Sequence, residues 1–167
     1  TGGLSIENDK ISIVNLGRPA NALHLTNGYS GGNNCNYANG GTATPDAHCM
    51  IVAKDRKYLF IHGEILASQG SGVSHYGVHF YNVSHSKIID SYIHHGEDTA
   101  IFLKNSVDNE IIGSDIGNFS DTPAAVLGSS YGTAFYLDNA DLNRIRGAKI
   151  QNVGVYGALI LGGSTNN

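Results

Sequence analysis

Apolar residues along this chain alternate with polar ones in short bursts. Leu4-Ser5-Ile6, Leu23-His24-Leu25, Val78-His79-Phe80 and Phe135-Tyr136-Leu137 follow a period of two, and no stretch of twelve residues sustains a period of 3.6. A period of two is the signature of a strand with one buried face. The chain therefore reads as all-β.

The bursts are copies of one another. Gly77-Val78-His79-Phe80-Tyr81-Asn82 aligns with residues 100–105, 134–139 and 158–163, and residues 3–8, 22–27 and 49–54 take the same frame. The first apolar residue of each copy falls at 4, 23, 50, 78, 101, 135 and 159, giving steps of 19, 27, 28, 23, 34 and 24 residues. Apolar residues five apart follow most copies: Ile11 and Leu16, Phe60 and Ile65, Ile88 and Ile93, Ile111 and Ile116, Ile145 and Ile150. A unit this small cannot bury its apolar face alone and must stack on its neighbours. The pattern predicts a solenoid of about seven rungs in a single domain over residues 1–167. The first and third positions of each copy point inward, as with Val78 and Phe80, Ile101 and Leu103, Phe135 and Leu137. The fifth is Asn in five copies, at Asn8, Asn27, Asn82, Asn105 and Asn139. Turned into the stack, such amides form a ladder across rungs ~4.8 Å apart; the plainer explanation is that Asn suits turns.

Inward aliphatic pairs, an Asn corner and a second strand of the form Ser-Lys-Ile-Ile-Asp-Ser-Tyr-Ile at 86–93 resemble the right-handed parallel β-helix of the pectin-lyase-like superfamily. That group includes polysaccharide lyases, glycoside hydrolases, mannuronan epimerases and phage tailspikes. The resemblance covers nearly the whole chain but lies in the scaffold, so it speaks to fold before reaction. Tyr76-Gly77-Val78-His79 is similar to the Tyr-Gly-Phe-Asp-Pro-His signature of the epimerases but lacks its Asp-Pro pair. Neither end carries an amphipathic or charged cap, so the expectation is a fragment of a longer solenoid, or ends covered by other chains.

Composition narrows the partners. Ten Lys and Arg spread against 14 acids, for a net charge of −4, make no basic patch for nucleic acid. No apolar run approaches the ~18 residues of a membrane span. Two steps are too long for a plain rung and predict loop insertions near 28–46 and 119–131, the places where solenoids concentrate function. Cys35 and Cys49 are the only cysteines. Bridged, they close a loop of about 15 residues worth about 3 kcal/mol and place the protein outside the cell, secreted, on a surface or on a virion. The alternative is two free thiols.

Stacking turns outward residues into columns. The second position reads Ser5, His24, Ile51, His79, Phe102, Tyr136, Ile160, and the fourth reads Glu7, Thr26, Ala53, Tyr81, Lys104, Asp138, Gly162. The middle rungs thus gather His79, Tyr81, Phe102, Lys104, Tyr136 and Asp138 on one face. Phe102 and Tyr136 offer flat faces to pyranose rings, and Lys104 offers a cation to a uronate carboxylate. His79 is the candidate base and Tyr81 the candidate acid, with Asp138 completing the catalytic set. The competing explanation is a solvated face on which Lys104 and Asp138 merely pair. A second cluster, His94-His95-Gly96-Glu97-Asp98, falls in an expected turn. It supplies imidazoles for substrate binding and, through Glu97 and Asp98, oxygen ligands for Ca2+, although no cofactor is required. Adjacent residues on an extended segment point apart, so His94 and His95 serve one site only if the chain kinks. His62, His75 and His85 read as turn or surface residues. No nucleophile elbow, zinc-protease helix, phosphate loop or dinucleotide fingerprint is present. The expected function is cleavage of an acidic polysaccharide by a lyase or hydrolase. The rival is a non-catalytic adhesive or structural solenoid, a homotrimer if of tailspike type.

Overall fold

A computed structural model describes residues 4–15, 23–24, 47–66, 74–96, 99–119 and 132–167. The chain winds as a parallel β-helix with three strand-bearing sides. The first side is a six-stranded parallel sheet of β1 (Leu4–Ile6), β4 (Ala47–Lys54), β6 (Ser74–Tyr81), β9 (Thr99–Lys104), β12 (Thr133–Asp138) and β15 (Tyr156–Leu161), in that order. The second side stacks β2 (Ser12–Asn15), the start of β5 (Phe60–Leu66), β7 (Lys87–Ile89), β10 (Glu110–Ile112) and β13 (Arg144–Arg146). The third stacks β3 (Leu23–His24), the end of β5, β8 (Tyr92–Gly96), β11 (Asp115–Phe119) and β14 (Lys149–Val153).

Among the described residues the first side has six strands, where the sequence shows seven copies of the pattern. Leu23 and His24 pair with Ile65 and Leu66 on the third side, while β1 pairs directly with β4. A lone apolar pair in sequence does not say which side of the coil it occupies.

The core is built of vertical aliphatic columns. Ile13, Ile61, Ile88, Ile111 and Ile145 align on the second side, and Ile65, Ile93, Ile116 and Ile150 on the third. On the first side Ile51, Val78, Ile101 and Phe135 form one column, and Ala53, Phe80, Leu103 and Leu137 the next. β-branched residues suit these pleated, crowded positions, and each fully buried one contributes roughly 1.5–3 kcal/mol. The first side has a local break in alternation. Met50 and Ile51, Ala100 and Ile101, and Ala134 and Phe135 are consecutive yet all belong to the inner core. In β6 the doublet is Gly77 and Val78, because a Cβ on Gly77 would sit 2.5 Å from the Ala100 carbonyl oxygen. This doublet moves the frame of two rungs by one residue. Ile51 and Ala53 point inward, with Val52 and Lys54 outward, and Leu159 rather than Ile160 continues the column of Tyr136.

Corners are made by left-handed residues. Asp55, Asn82, Asn105 and Asn139 have φ of 55°, 53°, 50° and 50°, and Gly162 takes the same place at 64°. Asn is among the few side chains that tolerate this conformation. These amides do not turn into the core. Asn82 and Asn139 are exposed; Asn139 donates to Asn105 Oδ1 at 2.8 Å, and Asn82 to Asp55 Oδ1 at 2.6 Å. Asn8 is exposed as well, and Asn27 lies outside the described residues.

A buried polar ladder runs elsewhere. The amides of Ser86, Asn109 and Asn143 donate to Asn109 Oδ1, Asn143 Oδ1 and Asn167 Oδ1, at 3.0, 3.1 and 2.8 Å. Asn109 Nδ2 donates onward to Asn143 Oδ1 at 2.9 Å. Beside it, Ser86, Ser106 and Ser164 hydroxyls accept from the amides of Leu59, Val83 and Ala140. The amides of Leu59, Val83, Ser86, Asn109, Ala140 and Asn143 are thus satisfied by a side chain of the following rung, as buried donors require. Cys49 is buried, no free cysteine is found among the described residues, and Cys35 lies outside them. The expected insertions at 28–46 and 119–131 also lie outside them, apart from Phe119, which is buried.

The second side carries a charged column: Lys87 Nζ lies 2.8 Å and Arg144 Nη1 3.6 Å from Glu110. The hydrogen bond from Lys87, then its charge, and those of Arg144 and Arg146, hold the Glu110 carboxyl below its ordinary value of about 4.5. A depressed carboxylate adds stability above its unfolded pKa and loses it as pH falls through the folded one. Urea midpoints of the native protein and Glu110→Gln should therefore differ at neutral pH and converge below about pH 4.5. In the same assay Asn143→Ala should cost about 1–3 kcal/mol by stranding buried donors. Asn139→Gly, at a corner that Gly162 fills one rung on, should stay within about 0.5 kcal/mol.

Candidate functional site

Outward residues of the first side form two columns through the middle rungs. Register places Val52, His79, Phe102, Tyr136 and Leu159 in one, and Lys54, Tyr81, Lys104, Asp138 and Leu161 in the other. The six residues expected on this face are there together, but they divide sharply by access to solvent.

The first column is mostly closed. His79 is 0% exposed, and Phe102, 3% exposed, belongs to a second apolar cluster with Cys49, Val52 and Tyr76. The rings of His79, Phe102 and Tyr136 stack in series, centroids 4.6 and 4.5 Å apart and planes 12° and 3° from parallel. Tyr76 lies 5.8 Å from His79. His79 therefore does not serve as a base for a substrate arriving from solvent, and Phe102 is not an open platform. Both hold Tyr136, half-buried at the end of the stack. Val52, Tyr76 and Phe102, on strands of this same sheet, are buried with His79, and strand alternation alone does not register such burial.

The second column is partly open. Lys104 Nζ lies 3.0 Å from Asp138 Oδ2, with the two side chains 20% and 23% exposed. Tyr81, one rung before Lys104, is half-buried with the Lys54 ammonium 5.7 Å from its ring centroid. What a dissolved ligand meets is Tyr81, Lys104, Tyr136 and Asp138.

A second constellation lies on the third side. His94 and His95 belong to strand β8 rather than a turn, and Glu97 and Asp98 lie outside the described residues. His95 adopts φ of 58°, the kink that brings two adjacent imidazoles to one place. His94 Nε2 sits 2.9 Å from Glu64 Oε1, and its Nδ1 2.5 Å from His95 Nδ1. Tyr92 stacks on His94 at 4.1 Å, with planes 16° apart. Glu64 was absent from the sequence-based candidates, although the match of Ile65 with Ile93 already put it opposite Tyr92, two positions from His94 on the same face of the strand. Among the described residues no group of three or more His, Cys, Asp or Glu side chains is arranged to hold a metal ion. Elsewhere His62 Nδ1 lies 2.9 Å from the Ile89 carbonyl oxygen, and His85 stacks on Tyr58 and bonds Asp108 at 2.8 Å. His75 is a β6 residue whose side chain is not described.

The model of the family described as right handed beta helix region matches residues 21–167. No curated protein and no solved structure matches the chain.

The aromatic stack makes a stability prediction. Phe102→Ala, which removes the ring between His79 and Tyr136, should cost about 3–5 kcal/mol in chemical denaturation, as for other buried aromatic truncations. A cost below about 1 kcal/mol would mean that this column is solvated.

Proposed function

The chain belongs to the right-handed β-helix family, and we propose that it acts outside the cell, binding and cleaving an acidic polysaccharide along Tyr81, Lys104, Tyr136 and Asp138. The observation that carries this reading is the partly exposed Lys104–Asp138 pair at 3.0 Å, with Tyr81 one rung before Lys104 and Tyr136 on the same strand as Asp138. A uronate carboxylate competes with Asp138 for the Lys104 ammonium, and the pyranose ring packs on Tyr136, whose plane the Phe102 stack fixes. Neutralising the sugar carboxylate acidifies the proton on its neighbouring carbon. Asp138, displaced from Lys104, takes that proton in place of His79. The electron pair forms a carbon–carbon double bond, the glycosidic carbon–oxygen bond breaks, and Tyr81 protonates the leaving oxygen. Tyr81 and Asp138 stand on either side of Lys104, one rung each way, so the reacting ring lies over the lysine.

In this reading Cys35 pairs with the buried Cys49, in keeping with an oxidising compartment. One observation favours the rival reading of an adhesive solenoid: Lys104 and Asp138 already satisfy each other, as structural surface pairs do.

Incubation with a panel of uronic-acid polymers should produce the ultraviolet absorbance of an unsaturated sugar. Lys104→Ala should shift the urea midpoint only slightly, since a partly exposed ion pair contributes about 1 kcal/mol. It should lower turnover or glycan affinity at least tenfold, about 1.4 kcal/mol. Reducing ends without absorbance would replace elimination by hydrolysis. If the panel is neither cleaved nor bound, the adhesive reading stands, and full activity in Lys104→Ala would move the site elsewhere.

A further inference from the structure

We propose that His94 and His95 chelate a divalent transition-metal ion through their Nδ1 atoms, with the Glu64 carboxylate orienting His94 from its opposite nitrogen. The site is on the third side of the coil, apart from the strip on β6, β9 and β12, and does not depend on the polysaccharide reading.

Three features point the same way. Neighbouring residues of a regular strand project to opposite faces, but the left-handed backbone at His95 cancels that divergence and brings the two Nδ1 atoms to 2.5 Å. At that separation the two nitrogens cannot both carry protons, so at least one lone pair faces the other ring. The contact of His94 Nε2 with Glu64 Oε1 puts a proton on Nε2, which donates to the carboxylate, so that in the neutral ring Nδ1 keeps its lone pair. A carboxylate behind an imidazole is the arrangement that orients a metal-binding histidine and raises its basicity.

The two rings are held differently. His94 is 7% exposed and clamped by Tyr92 on its face and Glu64 on its edge, so it is the fixed ligand. His95 is exposed and can rotate. Nitrogens bound at 2.0–2.1 Å around a tetrahedral ion lie about 3.3 Å apart, so a small opening of the His95 ring admits the ion. In the next two rungs Gly117 and Gln151 occupy the register of His94, and the corner beyond them carries Asn118 and Asn152, bonded to each other at 3.0 Å. The imidazole pair is therefore confined to one rung, and the predicted stoichiometry is one ion per chain. Two imidazoles select Zn2+, Ni2+ or Cu2+, whereas Ca2+ and Mg2+ require oxygen ligands. Water completes the coordination and leaves positions open to a ligand.

Calorimetric titration of the full chain with Zn2+ at neutral pH tests this directly. The expected result is one saturable site, weakened at least tenfold by His94→Ala and by His95→Ala, and about tenfold by Glu64→Gln. His85→Ala, at a different corner, should bind as the native protein does, and Ca2+ should not compete. Circular dichroism checks the fold of each variant. If His94→Ala unfolds, His95→Ala decides alone, because its side chain is exposed. Absence of saturable Zn2+ binding, or affinity unchanged when His95 is removed, would overturn the proposal and leave the contact as a hydrogen bond between rings.

Discussion

Every feature of this molecule depends on one constraint: successive rungs must lie in register about 4.8 Å apart around the whole circuit. A strand can meet that requirement with backbone bonds alone. A corner uses two kinds of bond: the left-handed residues Asp55, Asn82, Asn105 and Asn139 donate to backbone carbonyls of the next rung, and neighbouring amides turn to side chains. For these the next rung supplies the acceptor, Ser86 to Leu59, Ser106 to Val83, Asn109 to Ser86 and Asn143 to Asn109. Left-handed residues redirect the chain at equivalent positions, as at Asp55, Asn82, Asn105, Asn139 and Gly162. The aliphatic columns contribute most of the burial. The corners decide which residues fall into those columns, since a slip of one residue would turn each strand inside out.

The same constraint produces the outward chemistry. Once the register is set, residues distant in sequence become vertical neighbours, which is how Lys104 meets Asp138 and how His79, Phe102 and Tyr136 stack. A rigid scaffold holds such groups without further ordering, the condition that binding and catalysis require. It also assigns unequal roles within one face. The closed ring column stiffens the sheet and aims Tyr136, and the partly open column beside it presents charge.

The repeat was legible because the inward columns recur as apolar–x–apolar whatever the polar residues between them. The middle rungs could be framed correctly from Val78, Ile101 and Phe135 for that reason. The frame slips at Met50–Ile51, where consecutive inward residues break strict alternation, and at Ala158, which pairs with Phe135. Recurring Asn at the corners was visible in the sequence, but its direction was not: a left-handed residue there points its amide outward. The buried ladder was hidden because its column mixes Leu59, Ser86, Asn109, Asn143 and Asn167. The site was legible as a set of neighbours and not as a surface. Burial of His79 depends on what packs around it on the sheet, and the pairing of Glu64 with His94 crosses one rung on the diagonal, a relation no linear motif contains.

The claim that joins fold to function is that the partly open column of the first side meets the glycan. Backbone chemical-shift mapping by NMR during titration with a soluble oligouronate tests it without assuming any reaction. The account predicts saturable shifts centred on Tyr81, Lys104, Tyr136 and Asp138, fading toward Ile88 and Ile111 on the second side. Shifts centred on any other side of the coil, or none at saturating oligouronate, would contradict it.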